Sequence, residues 1–249
     1  MANRSTIRFR EFYEDESTRY HQRRYQTRYG RVFKALHHEQ IRELLSRTPD
    51  GASILEIACG TGHVSELLAE LGHEFVACDL TRPMLEQARE RTTDKQGEAQ
   101  FVLTDAYRLP FADDSFDLIV STRFLHLFPP EGQQPLLSEI RRVLRSGGYL
   151  IVDFDNRVSR WVYAFPYLIY NLIRYRRVAA YSHYNTVRQV RRMFSESGLE
   201  ATEVFGVGGT LLVVPALAST AAAVRLGRLH RSMPLRWLAE QLLVFGTKP

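Results

Sequence analysis

A pair of glycines at the end of an apolar run is the feature of this sequence best suited to chemistry. Residues 53–58 form a mostly apolar run, Gly60-Thr61-Gly62 follows, and residues 63–71 show helical periodicity. Glycine has no β-carbon, so the backbone can turn tightly there and approach a ligand closely. The unpaired N–H groups at a helix start can also receive an anion. The spacing therefore predicts a small-molecule site where this helix begins.

Two carboxylates stand where the next two strands are predicted to end. Asp79 follows the run 74–78, and Asp105 follows the run 100–103. Ligands of open α/β sheets bind at the carboxyl ends of the strands, where an acid about 20 residues after a glycine turn binds ribose hydroxyls. We therefore expect Asp79 to bind a ribose and Asp105 to bind the edge of a base. Each aspartate alone could equally be a helix N-cap.

The glycine pair alone leaves its ligand class open. The dinucleotide fingerprint G-x-G-x-x-G/A is incomplete, because Ser65 stands at its third small position. A tight turn without any ligand is a further alternative. The glycine turn and the two aspartates together, in this order, fit one adenosine that lies across neighbouring strand ends.

Strands and helices alternate along the chain, and this alternation would position all three features. The turn Ser146-Gly147-Gly148 is predicted just before the fifth strand. Alternation of this kind is typical of parallel βαβ units, so the predicted fold class is α/β with an open doubly wound sheet. Apolar runs predict strands at 53–58, 74–78, 100–103, 116–120, 149–154, 200–205 and 241–246, and periodicity predicts helices at 32–45, 63–71, 82–91, 131–144 and 186–197.

Four segments of the chain resemble one enzyme family. They read ILEIACGTG, VACDLTRPMLEQAR, LTDAYRLPFADDSFDLIVS and EIRRVLRSGGYLIVDF. In this order they closely resemble class I S-adenosylmethionine-dependent methyltransferases, nearest to the small-molecule branch that includes ubiquinone- and menaquinone-biosynthesis methyltransferases. The resemblance covers residues 50–155 well, is weaker before residue 45 and is only positional beyond residue 156. It implies a Rossmann-like sheet of seven strands, in the order 3-2-1-4-5-7-6 with the last strand antiparallel.

The resemblance also implies a cofactor, S-adenosyl-L-methionine, and roles for the matching residues. Glu56 would steady the amino end of the methionine, Asp79 would bind the ribose hydroxyls, and Asp105 would accept from the adenine amino group. Leu80 would pack on the adenine. No Cys/His spacing suits a metal, so none is predicted. The remaining implied cofactor contacts are Ala58, which stands where the family often has glycine, and Cys59, Gly60, Ala106, Ser121 and Thr122.

Residues near the predicted sheet mouth are candidates for the acceptor side. Histidine can accept a proton near neutral pH, so His126 is a candidate general base, although a packed histidine is the alternative. Arg123 could pair with an anionic acceptor, or it could be a solvated surface residue. Tyr20, Tyr25 and Tyr29 lie in a segment that resembles the family's N-terminal lid. We take His126 and Tyr25 as the catalytic candidates. The Tyr25 ring could face the sulfonium of the cofactor; the alternative is that it only packs on the core.

An aromatic and basic segment follows the fifth predicted strand. Residues 156–184 hold eight aromatic residues and five arginines but no acid. The family usually builds its substrate lid here, so we expect an apolar acceptor pocket, or else rings that only cover the sheet. The predicted substrate contacts are Arg123, Trp161, Phe165, Tyr167 and Tyr170, while Arg174, Arg176 and Arg177 would face an anionic group or lipid headgroups.

Three consecutive regions are predicted to share one fold. Residues 1–45 form an N-terminal helical lid, and residues 46–155 form the S-adenosylmethionine-binding core. Residues 156–249 contribute the aromatic and basic lid segment and the C-terminal strands that complete the same domain.

Composition and charge limit the possible protein classes and partners. The chain has 249 residues, 45% hydrophobic and 24% charged, which excludes a disordered or disulfide-stapled protein. The net charge is −4 over residues 1–155 and +9 over residues 156–249. The basic part suits nucleic acid, an anionic substrate, a membrane surface or simply solvent. Residues 204–224 carry no charge, but their glycines and a proline disfavour a membrane-spanning helix.

The sequence thus predicts a methyltransferase that acts on a small, apolar or aromatic acceptor. A nucleic-acid methyltransferase is one alternative, but Ser121-Thr122-Arg123-Phe124 stands where an Asp/Asn-Pro-Pro-Tyr motif would lie, so no nucleic-acid partner is expected. A non-catalytic, cofactor-binding scaffold protein is another. Two cysteines and an N-terminus without an apolar segment favour a cytoplasmic location, with peripheral membrane contact left open. The acceptor, the atom methylated and the oligomeric state are left open.

Overall fold

An eight-stranded sheet forms the centre of the fold. The structure, a computed structural model, describes Tyr13 and residues 25–159, 183–209, 219–231 and 238–249. The strand order is β3-β2-β1-β4-β5-β8-β7, and the two-residue β6 pairs with β5 outside this path. The strands are β1 (Ile54–Ile57), β2 (Phe75–Asp79), β3 (Ala99–Leu103), β4 (Phe116–Ser121), β5 (Leu144–Asn156), β6 (Tyr184–Asn185), β7 (Glu200–Val207) and β8 (Gln241–Thr247).

This topology confirms the predicted sheet. The neighbours from β3 to β5 are parallel, whereas β8 runs antiparallel to both β5 and β7. When the two-residue β6 is set aside, the order is the implied 3-2-1-4-5-7-6. The connections reverse direction between β1 and β4, which makes their carboxyl ends the switch point where ligands of such sheets bind.

Helices cover both faces of the sheet. One face packs against the helices that carry Ile41, Leu67 and Leu85, and the other packs against those that carry Leu137 and Phe194. Because both faces are buried, the central strands are mostly apolar on both faces rather than alternating. The helices are α1 (Arg28–Leu45), α2 (His63–Glu70), α3 (Arg82–Thr92), α4 (Pro130–Val143), α5 (Val187–Glu196) and α6 (Thr220–Gly227), with short 3-10 helices at Leu125–Leu127 and Arg228–Arg231.

The predicted turn at Ser146-Gly147-Gly148 is wrong, because these residues belong to β5. Leu144 pairs with Phe116, and the next pair joins Tyr149 to Leu118, so the intervening residues bulge from the ladder. Gly147 has a φ of 79°, and its N–H donates to the Lys248 carbonyl at 2.7 Å. Pairing with the C-terminal end of the chain therefore keeps this segment in the sheet.

Several predictions fall on residues that the structure does not describe. Among the described ranges, no helix is long and apolar enough to cross a membrane. Residues 210–218, in the middle of the uncharged stretch, lie outside those ranges. The cytoplasmic location and the membrane contact stay predictions. The predicted contacts that lie outside the described residues are Tyr20, Trp161, Phe165, Tyr167, Tyr170, Arg174, Arg176 and Arg177.

Gly62 lets α2 approach α3. Its φ is 80°, and a β-carbon at this position would lie 2.7 Å from the Ala88 Cα in α3. Gly60, two residues earlier, has a φ of 54°, but a β-carbon there would meet no atom within 4 Å. The two glycines are therefore needed for different reasons: Gly62 for helix packing, and Gly60 for an open approach to the space beside it.

We expect Gly62→Ala to lower the free energy of unfolding by about 2–4 kcal/mol, since overpacking adds to left-handed strain. Gly60→Ala, the matched control, should cost only about 1 kcal/mol from strain alone. Urea unfolding of both variants makes the comparison. Equal losses of stability would show that the contact with Ala88 does not limit the packing of α2.

Candidate active site

A cavity opens at the carboxyl ends of β1 to β4. It encloses about 1010 Å³ of space continuous with solvent. Each strand contributes the residues that follow it, so the predicted convergence of strand ends is present. The lining residues used below are Tyr25, Glu56, Ala58, Cys59, Gly60, Thr61, His63, Asp79, Leu80, Asp105, Ala106, Tyr107, Thr122, Arg123, Phe124, Leu127 and Phe128.

The Asp79 carboxylate holds the glycine turn in place. The Gly60 N–H donates to its Oδ2 at 2.9 Å, and the Thr81 N–H donates to its Oδ1 at 3.0 Å. The Thr81 hydroxyl also donates to Oδ1, at 3.1 Å. Burial raises the pKa of Asp79, although these donors oppose the shift. One carboxylate thus fixes the loops after β1 and β2 around the cavity.

Glu56 places a second carboxyl in the cavity wall. It lies in β1 and is only 3% exposed, and the Ser65 hydroxyl donates to its Oε2 at 2.5 Å. Burial raises the pKa of Glu56 from 4.5 to about 8, and the nearby Asp79 adds to the shift. A buried carboxyl of this kind ionises readily only beside a positive charge. The position therefore suits an ammonium group.

The third strand end supplies Asp105 and an aromatic neighbour. Asp105 Oδ1 accepts from the Tyr107 N–H at 3.0 Å, which orders the turn after β3. The Tyr107 ring packs edge-on against the Phe128 ring, with centroids 5.6 Å apart.

Burial raises the pKa of the Cys59 thiol, so this cavity-lining sulfur stays protonated and is not a nucleophile.

The structure brings nine of the ten predicted cofactor residues to the cavity. The exception is Ser121, which is fully buried beneath it and donates its hydroxyl to the Ile57 carbonyl at 3.0 Å. Arg123 lines the cavity, with its guanidinium over the Phe33 ring and 3.9 Å from an Asp155 oxygen. Their roles in binding stay predictions.

Of the two catalytic candidates, Tyr25 lines the cavity and His126 does not. Tyr25 stacks on the His63 ring, with centroids 4.3 Å apart. His126 lies in the first 3-10 helix, is 1% exposed, and has its Nδ1 4.0 Å from an Asp155 oxygen. Tyr29 is also away from the cavity, because its hydroxyl donates to Glu240 and accepts from a backbone N–H.

Sequence reasoning missed a histidine that lines the cavity. His63 is the first residue of α2 and lies beside His37 of α1. The sequence does hold a signal: His37 falls on the apolar stripe of α1, and Asp153 interrupts the apolar run of β5. Both are fully buried, and buried polar residues in such positions need partners.

The cavity fits S-adenosylmethionine. Thr61 Oγ1 is buried without a hydrogen-bond partner among the described residues, and open space lies beside Gly60. Carboxylates at Glu56 and Asp79 suit an ammonium and a ribose. Within the described ranges, no group of three or more histidine, cysteine or acidic residues could hold a metal ion.

The sheet order, with a cavity at the ends of β1 to β3, resembles the fold of class I S-adenosylmethionine-dependent methyltransferases. Residues 54–148 match a protein family described as a methyltransferase domain. Residues 54–148 are therefore similar to a methyltransferase domain, and the comparisons support the predicted enzyme class and S-adenosylmethionine as its cofactor.

Comparisons with known proteins agree with this assignment. The chain is 40% identical over 102 residues to a demethylmenaquinone methyltransferase of Beutenbergia cavernae, covering 41% of this chain and 40% of that protein. It spans about two fifths of the length of this and two other curated relatives.

Two solved structures share the fold. A S-adenosylmethionine-dependent methyltransferase from Methanosarcina mazei gives a TM-score of 0.59 at 20% identity, covering 82% of this chain and 96% of that one. Magnesium protoporphyrin IX methyltransferase from Synechocystis, solved with S-adenosylhomocysteine, gives 0.61 at 13% identity, covering 88% and 87%.

We expect Asp79→Asn to weaken S-adenosylmethionine binding by about 1–3 kcal/mol, the cost of losing a charged hydrogen-bond partner. Titration calorimetry measures the change. Asp117→Asn is the matched control, because Asp117 also accepts a backbone N–H, from Ser53 at 2.9 Å, but lies at the amino end of β4. Unchanged affinity in a folded Asp79→Asn protein would refute the ribose-binding role.

We expect the Glu56 carboxyl to release a proton when the cofactor binds at pH 7. With a pKa of about 8 the carboxyl is mostly protonated there, and a bound ammonium should lower that pKa. Calorimetry in buffers of different ionisation enthalpy measures the released protons. Wild-type protein should release protons, whereas Glu56→Gln should release fewer. Equal release by the two proteins would show that Glu56 does not meet the ammonium.

Proposed function

We propose that this protein transfers a methyl group from S-adenosylmethionine to a small acceptor of apolar or aromatic character. One observation carries the proposal: the same cavity combines a carboxylate-rich side, suited to the methyl donor, with an aromatic side. The donor, when bound, supplies a methyl group on a positively charged sulfur. The protein's part is then to hold the acceptor in line and to exclude water.

The aromatic side is built from rings that pack edge to face. Phe124 and Phe128 have centroids 5.1 Å apart at an interplanar angle of 75°, and Tyr107 packs edge-on against Phe128. Leu127 lines the cavity beside them. Rings held by such contacts offer an apolar surface of fixed shape, which favours a flat or apolar acceptor.

The named relatives support this acceptor class. One is called demethylmenaquinone methyltransferase, and another, from Mycobacterium ulcerans, is called phthiotriol/phenolphthiotriol dimycocerosates methyltransferase. Both names give bulky, apolar molecules as the compounds methylated. We propose that the acceptor of this protein shares that apolar character.

Arg123 is the cation that we propose to place at the boundary between the two sides. Its φ of 59° is unusual for a residue with a side chain, and its N–H donates to Asp153 Oδ1 at 2.7 Å. Such strain persists only where the surrounding structure fixes it. The guanidinium, already partly neutralised by Asp155 at 3.9 Å, would orient a polar substituent of the acceptor rather than a fully charged one.

The acceptor proposal predicts selective turnover. With labelled S-adenosylmethionine, the protein should methylate a prenylated naphthohydroquinone and should not methylate glycine. The reason is that burying apolar surface against the aromatic rings of the cavity stabilises the bound acceptor. Counting labelled product separates the two. Phe124→Ser should reduce turnover of the naphthohydroquinone by about tenfold, as expected when an apolar contact worth about 1–2 kcal/mol is lost.

Leu71→Ser serves as the surface control, since Leu71 is exposed at the end of α2 and away from the cavity. Turnover of glycine alone would contradict the acceptor class. Binding of S-adenosylmethionine without turnover of any acceptor would instead favour the non-catalytic alternative.

A further inference from the structure

The Arg123 guanidinium is a largely buried cation in the wall of the cavity. Its side chain is only 11% exposed, and none of its side-chain N–H groups donates a hydrogen bond to another of the described residues. Asp155 Oδ1 lies 3.9 Å from Nη1, which is beyond hydrogen-bond distance. A charge buried to this extent normally has hydrogen-bond partners, so an acceptor group from a ligand would complete the arrangement.

Three features restrain Arg123 from turning towards another partner. Its backbone N–H donates to Asp153 Oδ1 at 2.7 Å, and this bond can form whether that carboxyl is ionised or protonated. Its φ of 59° persists only where neighbouring residues fix the backbone. The guanidinium carbon lies 5.7 Å from the centroid of the Phe33 ring, within range of a cation–π contact. The N–H groups are therefore held beside the cavity.

The chemistry of a guanidinium limits what these N–H groups can bind. Arginine stays protonated at every physiological pH, and it offers five donors in one plane but no acceptor. Its partner must therefore be an oxygen with a lone pair, and an ammonium group is excluded. A neutral carbonyl or hydroxyl oxygen meets this requirement, and so does an anionic carboxylate.

Asp155 favours the neutral partner over the anionic one. It is 7% exposed, and its Oδ1 accepts from the Gln241 side-chain amide at 3.3 Å while facing the Arg123 guanidinium. His126 Nδ1 lies 4.0 Å from the same oxygen. A carboxylate at this distance offsets much of the guanidinium charge but leaves its N–H groups unused. A carboxylate on the ligand would be repelled by Asp155, whereas a neutral oxygen would not.

An acceptor bound on the aromatic side of the cavity would remove water from the guanidinium. Phe124, Leu127 and Phe128 line the cavity together with Arg123. A ligand that covers these residues must replace the hydrogen bonds that water makes to the N–H groups. A ring without an oxygen leaves these groups unpaired, which lowers its affinity. The arrangement therefore discriminates between a ring that bears an oxygen and the same ring without one.

We propose that Arg123 is a specificity-determining residue that donates hydrogen bonds to a neutral oxygen on an aromatic acceptor, and that Asp155 disfavours carboxylates at this position. The acceptor class is then an aromatic ring that bears a hydroxyl or carbonyl oxygen. This role rests on the proposed function and deepens it. It concerns the binding and orientation of the acceptor and assigns neither residue a part in the transfer of the methyl group.

The binding test uses three fluorescent probes with one ring system: 1-naphthol, 1-methylnaphthalene and 1-naphthoate. Each is titrated at pH 7 with full-length protein saturated with S-adenosylhomocysteine. Wild-type protein should bind 1-naphthol, which is neutral at this pH, more tightly than the other two probes. In Arg123→Met the preference for 1-naphthol over 1-methylnaphthalene should fall about tenfold or more, as expected when a hydrogen bond to a charged group is lost.

Asp155→Asn gives a readout that a purely structural role would not change. Asparagine keeps an oxygen for the Gln241 amide but removes the negative charge beside Arg123. The preference should therefore shift towards 1-naphthoate by about tenfold, while the affinity for 1-methylnaphthalene stays within about threefold. Arg123→Lys keeps the charge without the planar set of donors, so it should lose less of the preference for 1-naphthol than Arg123→Met.

Arg82→Met is the matched control, because Arg82 is exposed at the start of α3 and is not among the described residues that line the cavity. Its affinities for the three probes should match those of wild-type protein. A folded Arg123→Met protein that keeps the preference for 1-naphthol would overturn the proposal. So would wild-type protein that binds 1-naphthoate most tightly. If Arg123→Met does not fold, Asp155→Asn decides: no shift towards 1-naphthoate would overturn the proposal.

The outcomes separate this specificity role from the function on which it rests. If wild-type protein binds 1-methylnaphthalene as tightly as 1-naphthol, the aromatic site stands but the oxygen contact is refuted. If S-adenosylhomocysteine binds and none of the three probes does, both the aromatic acceptor class and the role of Arg123 are refuted. If S-adenosylhomocysteine itself does not bind, the proposed methyltransferase function fails first, and this role fails with it.

Discussion

The hydrogen bond from the Gly60 N–H to the Asp79 carboxylate is the contact on which the site depends. It joins the ends of two adjacent strands, and a second bond, from the Cys59 N–H to the Cys78 carbonyl at 3.0 Å, runs beside it. The turn between β1 and α2 needs positive φ at three positions, including 56° at Ala58. A non-glycine residue in that region costs about 1–2 kcal/mol, and the two bonds offset this strain. The start of α2, and with it His63, is held at the cavity as a result.

Ionisable groups buried under the cavity are a second constraint. Glu56, His37 and Asp153 are buried beside the apolar clusters that pack on the two faces of the sheet. Buried ionisable groups destabilise a fold unless they are paired, and they concentrate at functional sites. Here each has a partner of matching chemistry: Ser65 for Glu56, His63 for His37, and the Arg123 backbone for Asp153. These buried polar groups are therefore better explained by function than by stability.

The strands, their order and most of the cofactor side could be predicted from the sequence, because their signals are local. An apolar run, a glycine pair and an aspartate at a strand end lie within a few residues of one another. The contacts that join Asp153, His37 and His63 could not be predicted, since these residues come from three elements and meet only after the sheet and α1 have packed. For the same reason the local sequence at 146–148 indicates a turn, although Gly147 pairs with the distant Lys248 in the sheet. The burial of Ser121 and His126 likewise depends on neighbours distant in sequence.

A crystal structure of the protein with S-adenosylhomocysteine tests the central claim most directly. The account predicts that both ribose hydroxyls lie within hydrogen-bond distance of Asp79, that the amino group lies beside Glu56, and that the space next to the sulfur is bordered by His63 and Phe124. An adenosine bound elsewhere, or a ribose that does not contact Asp79, would contradict it.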